Sequence, residues 1–581
     1  MKKILTLLVL VSISVWNFAQ KNKTDYIDDS TSTLILTSKI KREVEPSVRI
    51  GSQPRLIDTV VNYKVVEYPM MALKYETSIT TEPIVPANVK LSENKMLKLY
   101  NGYVKVGIGS PVMPFGEVYY NNTRSRKYVY GANIKHISSF GDLKNYAPAH
   151  FDRTNYNLFG GIKQLNYSIL GDFRFNNYGV NRYGVMRPDA SKDSIAQRFK
   201  EIGGGIKFHS HKMDSLRLNY LISVDFANFK DKPVTDNWFG NENTISSINS
   251  FWYRKGREVF AIDVNAFHNQ FVYGTTGNKL NAIDTAVDYT NTFLSLKPNI
   301  TSLFAGKKLK AQVGVDITMS LTKNVSTLVA LYPMLDIKYA MFDNLIIPYV
   351  GVKGGMKQGT FKSLATQNPF LQSNPELRNE STPYNAYLGV RGIITKQLEF
   401  NVCANYSEVR NKALFVSDSN TVHRNLNQFR AIYDTMNIFS AEATAAYQLN
   451  EKIKVDATGR FFNYSMIKHN SYAWNLPTYQ FIVRGTYVLQ NKFIFTLDVN
   501  GEGGRKALVY DSTEAKTTIE DNQIAKDLGF IVDANVGVEY RYTNRVSAFL
   551  QCNNVAAQQY FRWYKYPVQA FQIMGGVTFR F

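Results

Sequence analysis

Val568 to Phe581 reads VQAFQIMGGVTFRF. Phe571, Ile573, Gly575, Val577, Phe579 and Phe581 fall on one face, and Gln572, Met574, Gly576, Thr578 and Arg580 on the other. Successive side chains of a strand point to opposite faces, so this two-residue period marks a strand with one apolar and one polar side. Lipid outside and water inside a closed barrel is the setting that suits such a strand.

The pattern recurs from Leu99 onward. Tyr167, Ile169, Gly171, Phe173 and Phe175 lie opposite Ser168, Asp172, Arg174 and Asn176. Ile453, Val455, Ala457, Gly459 and Phe461 lie opposite Lys454, Asp456, Thr458 and Arg460. Charges on one face of so many strands would be costly against a dry core, so that face is expected to meet water. A soluble sandwich or propeller also alternates, but it would bury both sheets against each other and leaves these charges unexplained. Asp172, Arg174, Lys454, Asp456 and Arg460 are therefore candidate lumen charges, with Asp172–Arg174 and Asp456–Arg460 as expected ion pairs.

Connections alternate in length. Short polar turns fall at 163–166 (KQLN), 306–308 (GKK), 342–344 (FDN), 449–452 (LNEK), 490–492 (QNK) and 542–545 (YTNR). Longer ones lie near 139–153, 180–197, 231–244, 271–288, 359–383, 410–436 and 503–527. In outer-membrane barrels short turns face the periplasm and long loops face outside. Walking through these alternations predicts an all-β fold, a transmembrane antiparallel β-barrel of about 22 strands with both ends periplasmic.

The start of the chain is of another kind. Lys2 and Lys3 precede an apolar run from Ile4 to Val15 and small or polar residues up to Ala19 and Gln20, the layout of a secretory signal peptide over residues 1–19. Residues 20–97 carry Thr, Ser and Lys clusters and five prolines, with no sustained period. They read as an extended periplasmic segment in which Thr59 to Val66 is the expected ordered piece, with room for a partial plug but too poor in contiguous apolar surface to build a compact one. The barrel is expected over 98–581.

Composition closes other classes. With 44% hydrophobic residues the chain is too polar for a helical membrane protein, yet its 37 Tyr and 36 Phe can supply the aromatic girdles of a barrel. The two cysteines, Cys403 on a polar face and Cys552 on an apolar one, are not expected to bridge. The formal charge of +21 is spread over turns and alternating strands, with no basic helix and no nucleic-acid motif. A positive lumen or basic rims against anionic lipid headgroups account for it, and nucleic acid is not an expected partner.

The closing stretch resembles the last hairpin of TonB-dependent receptors. Asn554 and Val555, Tyr560, Tyr566 and Pro567, and the ending Gly576, Val577, Phe579, Phe581 match the recurring residues of that family. Leu99 to His136 is similar to the opening of a plug-less, receptor-like group of barrels in Gram-negative bacteria. The terminal aromatic face of Phe571, Ile573, Val577, Phe579 and Phe581 also resembles the sorting signal of outer-membrane barrels, which implies the barrel assembly machinery as a partner and the outer membrane as the location. A receptor has a plug and a TonB-contacting box. Ile57 to Val61 (IDTVV) has the flavour of that box, but no complete plug fits before the first strand.

No chemistry-bearing constellation stands out. GxSxG, HExxH and GxxxxGK[ST] are missing from the sequence, and His209 and His211 lack a neighbouring acid or thiol to complete a metal site. The glycine runs 203–205 and 354–355 lie inside strands, where glycine marks a bulge or a close backbone approach. No enzyme activity and no cofactor is expected. A lumen of this width must be used or filled, so solute passage with weak anion preference is the first expectation, narrowed by the N-terminal segment or inward-folded loops. The competing expectation is a structural or assembly subunit that holds a periplasmic or outer-membrane protein through residues 20–97.

Overall fold

A computed structural model describes residues 99–581 apart from Arg124, 185–187, 211–217, 234–237, 277–282, 324–325, 418–426, His469 and 511–522. The expectations for the signal peptide, the segment 20–97, the stretches Ile57 to Val61 and Thr59 to Val66, and His211 lie outside the described residues.

Strands follow one another from Gly102–Ser110 to Gln572–Arg580, and twenty-two of them join one antiparallel sheet. Neighbours in the barrel sheet are neighbours in its order along the chain, as in a meander. The sheet closes on itself because the first strand pairs with the last, Val106 opposite Val577 and Gly107 opposite Gly576. Below them Asn101 N donates to the Phe581 carbonyl at 2.8 Å, so the first and last strands meet at the same rim. Closure leaves the ladder no unpaired edge. Two small hairpins, Lys506–Tyr510 with Gln523–Asp527 and Phe561–Trp563 with Tyr566–Pro567, stand apart from the barrel sheet in its connections.

Alternation sorts the two faces. Phe173 is 48% exposed and Val577 51%, while Ser168 and Met574, an odd number of residues away from each, are 0% and 4%. The same outward exposure holds for Phe571, Ile573, Phe579 and Phe581. Around the outside, exposed Ile108, Leu158, Ile206, Leu388, Val402 and Leu550 continue an apolar belt far larger than the patches soluble proteins carry. No described helix is long and apolar enough to cross a membrane.

The short turns fall where the sequence places them. Several expected loops are shorter than predicted, because pairing runs on: Lys412 opposes Asp434 and Ser417 opposes Phe429 within the expected loop 410–436. Val272 opposes Asp288 within 271–288, and Lys230 opposes Asn241 within 231–244. Beyond the apolar belt both faces of a hairpin can carry apolar residues, as the consecutive buried Leu414, Phe415 and Val416 do, so the hydropathy period fades while the backbone still satisfies its groups by pairing. Cys403 and Cys552 are both free and half-buried.

Among the described residues, the largest buried apolar cluster sits at the long-loop end. It joins Phe199, Phe229 and Phe271 of the wall to Phe361, Leu364, Phe370 and Leu371 of a connection and to Tyr566 of another.

Candidate functional site

The inner wall is polar and its charges are matched between strands. Asp172 lies 3.3 Å from Arg174, and Arg174 also reaches Asp225 two strands away. Gly205 stands between them, where an added Cβ would come within 2.9 Å of the Asp225 carboxylate. The glycine run 203–205 thus gives the close approach that lets one guanidinium bridge two acids.

Lys454 pairs with Asp456 at 3.1 Å. Arg460, however, pairs with Glu442 at 2.6 Å rather than with Asp456, which correct the expected pair. Residues four apart on a strand are separated by about 13 Å, whereas directly opposed residues are about 5 Å apart, and Glu442 is the residue opposite Arg460. Arg198 grips Asp152 with two bonds of 2.8 and 3.0 Å, and Arg484 meets Asp498 at 3.0 Å. His209 shares a hydrogen bond with Ser168, and no group of three or more metal-ligating side chains occurs among the described residues.

At the long-loop end the connection between the strands Ile346–Lys357 and Glu380–Thr395 folds inward. Its helix, Phe361–Gln367, starts because Thr360 accepts a hydrogen bond from Ser363 N at 3.0 Å, an N-cap that non-helical backbone and a hydroxyl favour. Phe361, Leu364 and Ala365, spaced i, i+3, i+4, form its buried face. Asn368 ends it, with Asn368 N returning to Leu364 O at 2.9 Å.

The wall receives this helix with a carboxylate. Glu242, on the strand Trp238–Lys255 and fully buried, accepts from Phe361 N at 2.7 Å, Lys362 N at 2.9 Å and Asn269 Nδ2 at 2.8 Å. These N–H groups have no partner inside the helix, and a negative charge at a helix start is favoured by the backbone dipoles. Lys362 adds an ion pair to Glu201 at 2.5 Å. The Phe361 ring packs 5.1 Å from Phe271 and 5.4 Å from Phe229. Gly240 makes the seat: an added Cβ would sit 2.9 Å from Ser373 O and 3.0 Å from the Phe361 ring.

The far end of the same connection docks elsewhere on the mouth. Phe370 stacks on Tyr566 at 3.8 Å, Tyr183 meets Tyr566 edge-on at 4.9 Å, and Phe429 packs 5.8 Å from it. Leu371 pairs in parallel with Phe429, fixed by Gln372 N to Phe429 O at 2.9 Å and Phe429 N to Phe370 O at 3.0 Å. Burial pushes the Tyr566 and Tyr183 hydroxyls well above the usual tyrosine range. Nearby, Arg505 is held between Glu502 at 3.2 Å and the carbonyls of Phe561 and Arg562, tying two further connections together; burial draws its guanidinium down. Beside Phe370 a cavity of about 320 Å³ remains, lined by His150, Tyr178, Asn181, Tyr560 and Gln569 among others.

Wall residues on the strands Ala196–Ser210, Asn219–Pro233, Trp238–Lys255 and Glu258–Thr276 thus hold one end of connection 358–379, and Phe429, Tyr183 and Tyr566 hold the other. Sequence reasoning anticipated inward-folded loops but not which one, and missed Glu201, Glu242 and Gly240. A signal was present: 359–372 (GTFKSLATQNPFLQ) has a cap, an apolar helical face and an Asn-Pro stop, too apolar for a solvated loop.

No family model and no curated protein matches the chain. Among solved structures it is similar to the FrpB iron transporter from Neisseria meningitidis, with a TM-score of 0.63, 10% identity, and 84% of this chain and 82% of that one covered. It is also similar to the pyoverdine outer membrane receptor FpvA from Pseudomonas aeruginosa, with a TM-score of 0.60 at 12% identity over 83% of this chain and 78% of that one. The copper transporter OprC aligns with a TM-score of 0.60 at 13% identity over 83% and 80%. These neighbours are transporters and receptors, not enzymes. With its closed ring of twenty-two strands, the chain has the barrel fold of the TonB-dependent outer-membrane receptors.

Proposed function

We propose that this protein is an outer-membrane barrel that passes a solute through its lumen, and that connection 358–379 is the gate at the outer mouth. The observation that carries the proposal is the pairing of a polar, ion-matched wall with a loop latched across the mouth by Glu242 and the Phe361 nest. A wall whose charges already satisfy one another can be wetted without a large net field, so it suits passage better than storage of charge. The apolar belt outside supports membrane embedding, and outer-membrane transport in general is supported by the fold neighbours, which are a copper transporter, an iron transporter and a pyoverdine receptor. The terminal face of Phe571, Ile573, Val577, Phe579 and Phe581 then serves barrel assembly, and residues 20–97 face the periplasm.

Planar-bilayer recording tests this. Full-length protein is expected to conduct little, and a variant with 361–371 replaced by a short Gly-Ser linker to conduct continuously. If a folded, heat-modifiable barrel stays silent after both this replacement and removal of residues 20–97, solute passage is wrong.

One observation favours a second reading: connection 358–379 is held at the mouth by apolar packing rather than left as a solvated loop. A barrel built to stay shut would serve as a structural or assembly subunit, holding a protein partner through residues 20–97. Mild-detergent purification separates the two, since this reading requires a stoichiometric partner.

A further inference from the structure

Charge is distributed differently at the two ends of the barrel. Lumenal and long-loop charges include many matched pairs, such as Arg198 with Asp152, Lys362 with Glu201, Lys412 with Glu380 and Arg562 with Glu502, and the exposed Lys144, Lys192, Lys468 and Lys526 at the long-loop end are interspersed with the acids Asp142, Asp189 and Asp527. At the short-turn end the balance fails. Arg257, Lys308, Lys396, Lys452, Lys492 and Arg545 are all exposed, and none has an ion-pair partner among the described residues. Arg126, Lys127 and Lys163 extend the same rim, against which the turns set only Glu258, Asp343 and Glu451 among the described residues.

The ring has a defined depth. Directly beside these turns, Tyr128, Tyr167, Tyr253, Tyr339, Tyr487 and Tyr542 point outward and are exposed. Lys127 Nζ lies 5.3 Å from the centre of the Tyr128 ring. Outward aromatic rings at the end of an apolar belt mark the level of lipid headgroups. Long basic side chains in the turns beyond them reach the phosphate layer with their stems along apolar surface. Cations held there without carboxylate partners lack only an anion, and the leaflet supplies anions at that depth.

We propose that the short-turn rim is a docking surface for anionic glycerophospholipid headgroups in the leaflet it meets. It rests on the membrane embedding argued above, not on solute passage, so either can fail alone. Mixed signs at the opposite rim make the preference one-sided.

The test is native mass spectrometry of the full chain released from nanodiscs of phosphatidylethanolamine and phosphatidylglycerol. Wild-type protein is expected to retain phosphatidylglycerol over phosphatidylethanolamine by roughly fivefold for each strong site. A variant carrying Arg257→Gln, Lys308→Gln, Lys396→Gln, Lys452→Gln, Lys492→Gln and Arg545→Gln should lose that preference. Lys144→Gln with Lys468→Gln, at the other rim, should keep it. Undiminished preference in the six-site variant overturns the proposal. Should that variant not fold, wild-type protein at molar salt replaces it: a preference that survives screening also overturns the proposal. Wild-type protein that ignores phosphatidylglycerol but binds polyglutamate at these turns overturns it too, in favour of an acidic protein.

Discussion

Glu242 concentrates the latch in one side chain, because two helix amides and Asn269 all depend on its two oxygens. In Glu242→Gln an amide NH₂ replaces one acceptor and faces a donor, leaving a buried N–H unsatisfied at a cost of about 1 to 3 kcal/mol. Hydrogen exchange at the amides of Phe361 to Leu364 is expected to quicken roughly tenfold or more while barrel amides stay as they were. Equal exchange in the variant would show that the carboxylate does not hold the helix. On the wall, Arg174→Ala frees Asp172 and Asp225 together. In the gate-released background it should shift selectivity toward cations, read as a reversal potential under a salt gradient.

On the proposed embedding and gating, the elements divide into those that meet lipid and those that latch the mouth. On the last strand, Val577→Arg sets a charge on the outward face and is expected to cost about 2 to 4 kcal/mol, whereas Thr578→Arg faces the lumen and should cost far less. Urea titration of folding into vesicles compares them; similar losses would contradict the assigned faces. In the mouth, Phe361→Ala removes a ring packed against three others, at about 3 to 5 kcal/mol. That cost falls on the connection, since the barrel ladder makes no use of this ring. Protease should therefore cut within 358–379 in Phe361→Ala at concentrations that leave wild-type protein whole, and the remainder should stay a heat-modifiable barrel.

For the whole molecule, closure decides the behaviour. The pairing of Gly102–Ser110 with Gln572–Arg580 leaves no strand from which unfolding can begin cheaply. Unboiled protein is accordingly expected to migrate apart from boiled protein on a denaturing gel, and identical mobility would sink the membrane-barrel assignment.

Strand count, strand faces and the alternation of short turns with long loops were legible in the chain because they repeat with a local period. Val577 points outward for the same reason as Phe173, and neither depends on a distant residue. The ion pairs were legible only in part: Asp172 with Arg174 are two residues apart, but Arg460 chooses Glu442 because register, not spacing, sets what lies opposite. The latch was not legible at all beyond an overly apolar loop. Glu242 and Phe361 are 119 residues apart along the chain, and Tyr566 lies still farther from the wall strands it helps to cap. The sequence by itself determined the barrel, since alternation is local; only closure of the sheet brought opposite walls near enough for one loop to tie them, so the mouth was decided by the tertiary structure.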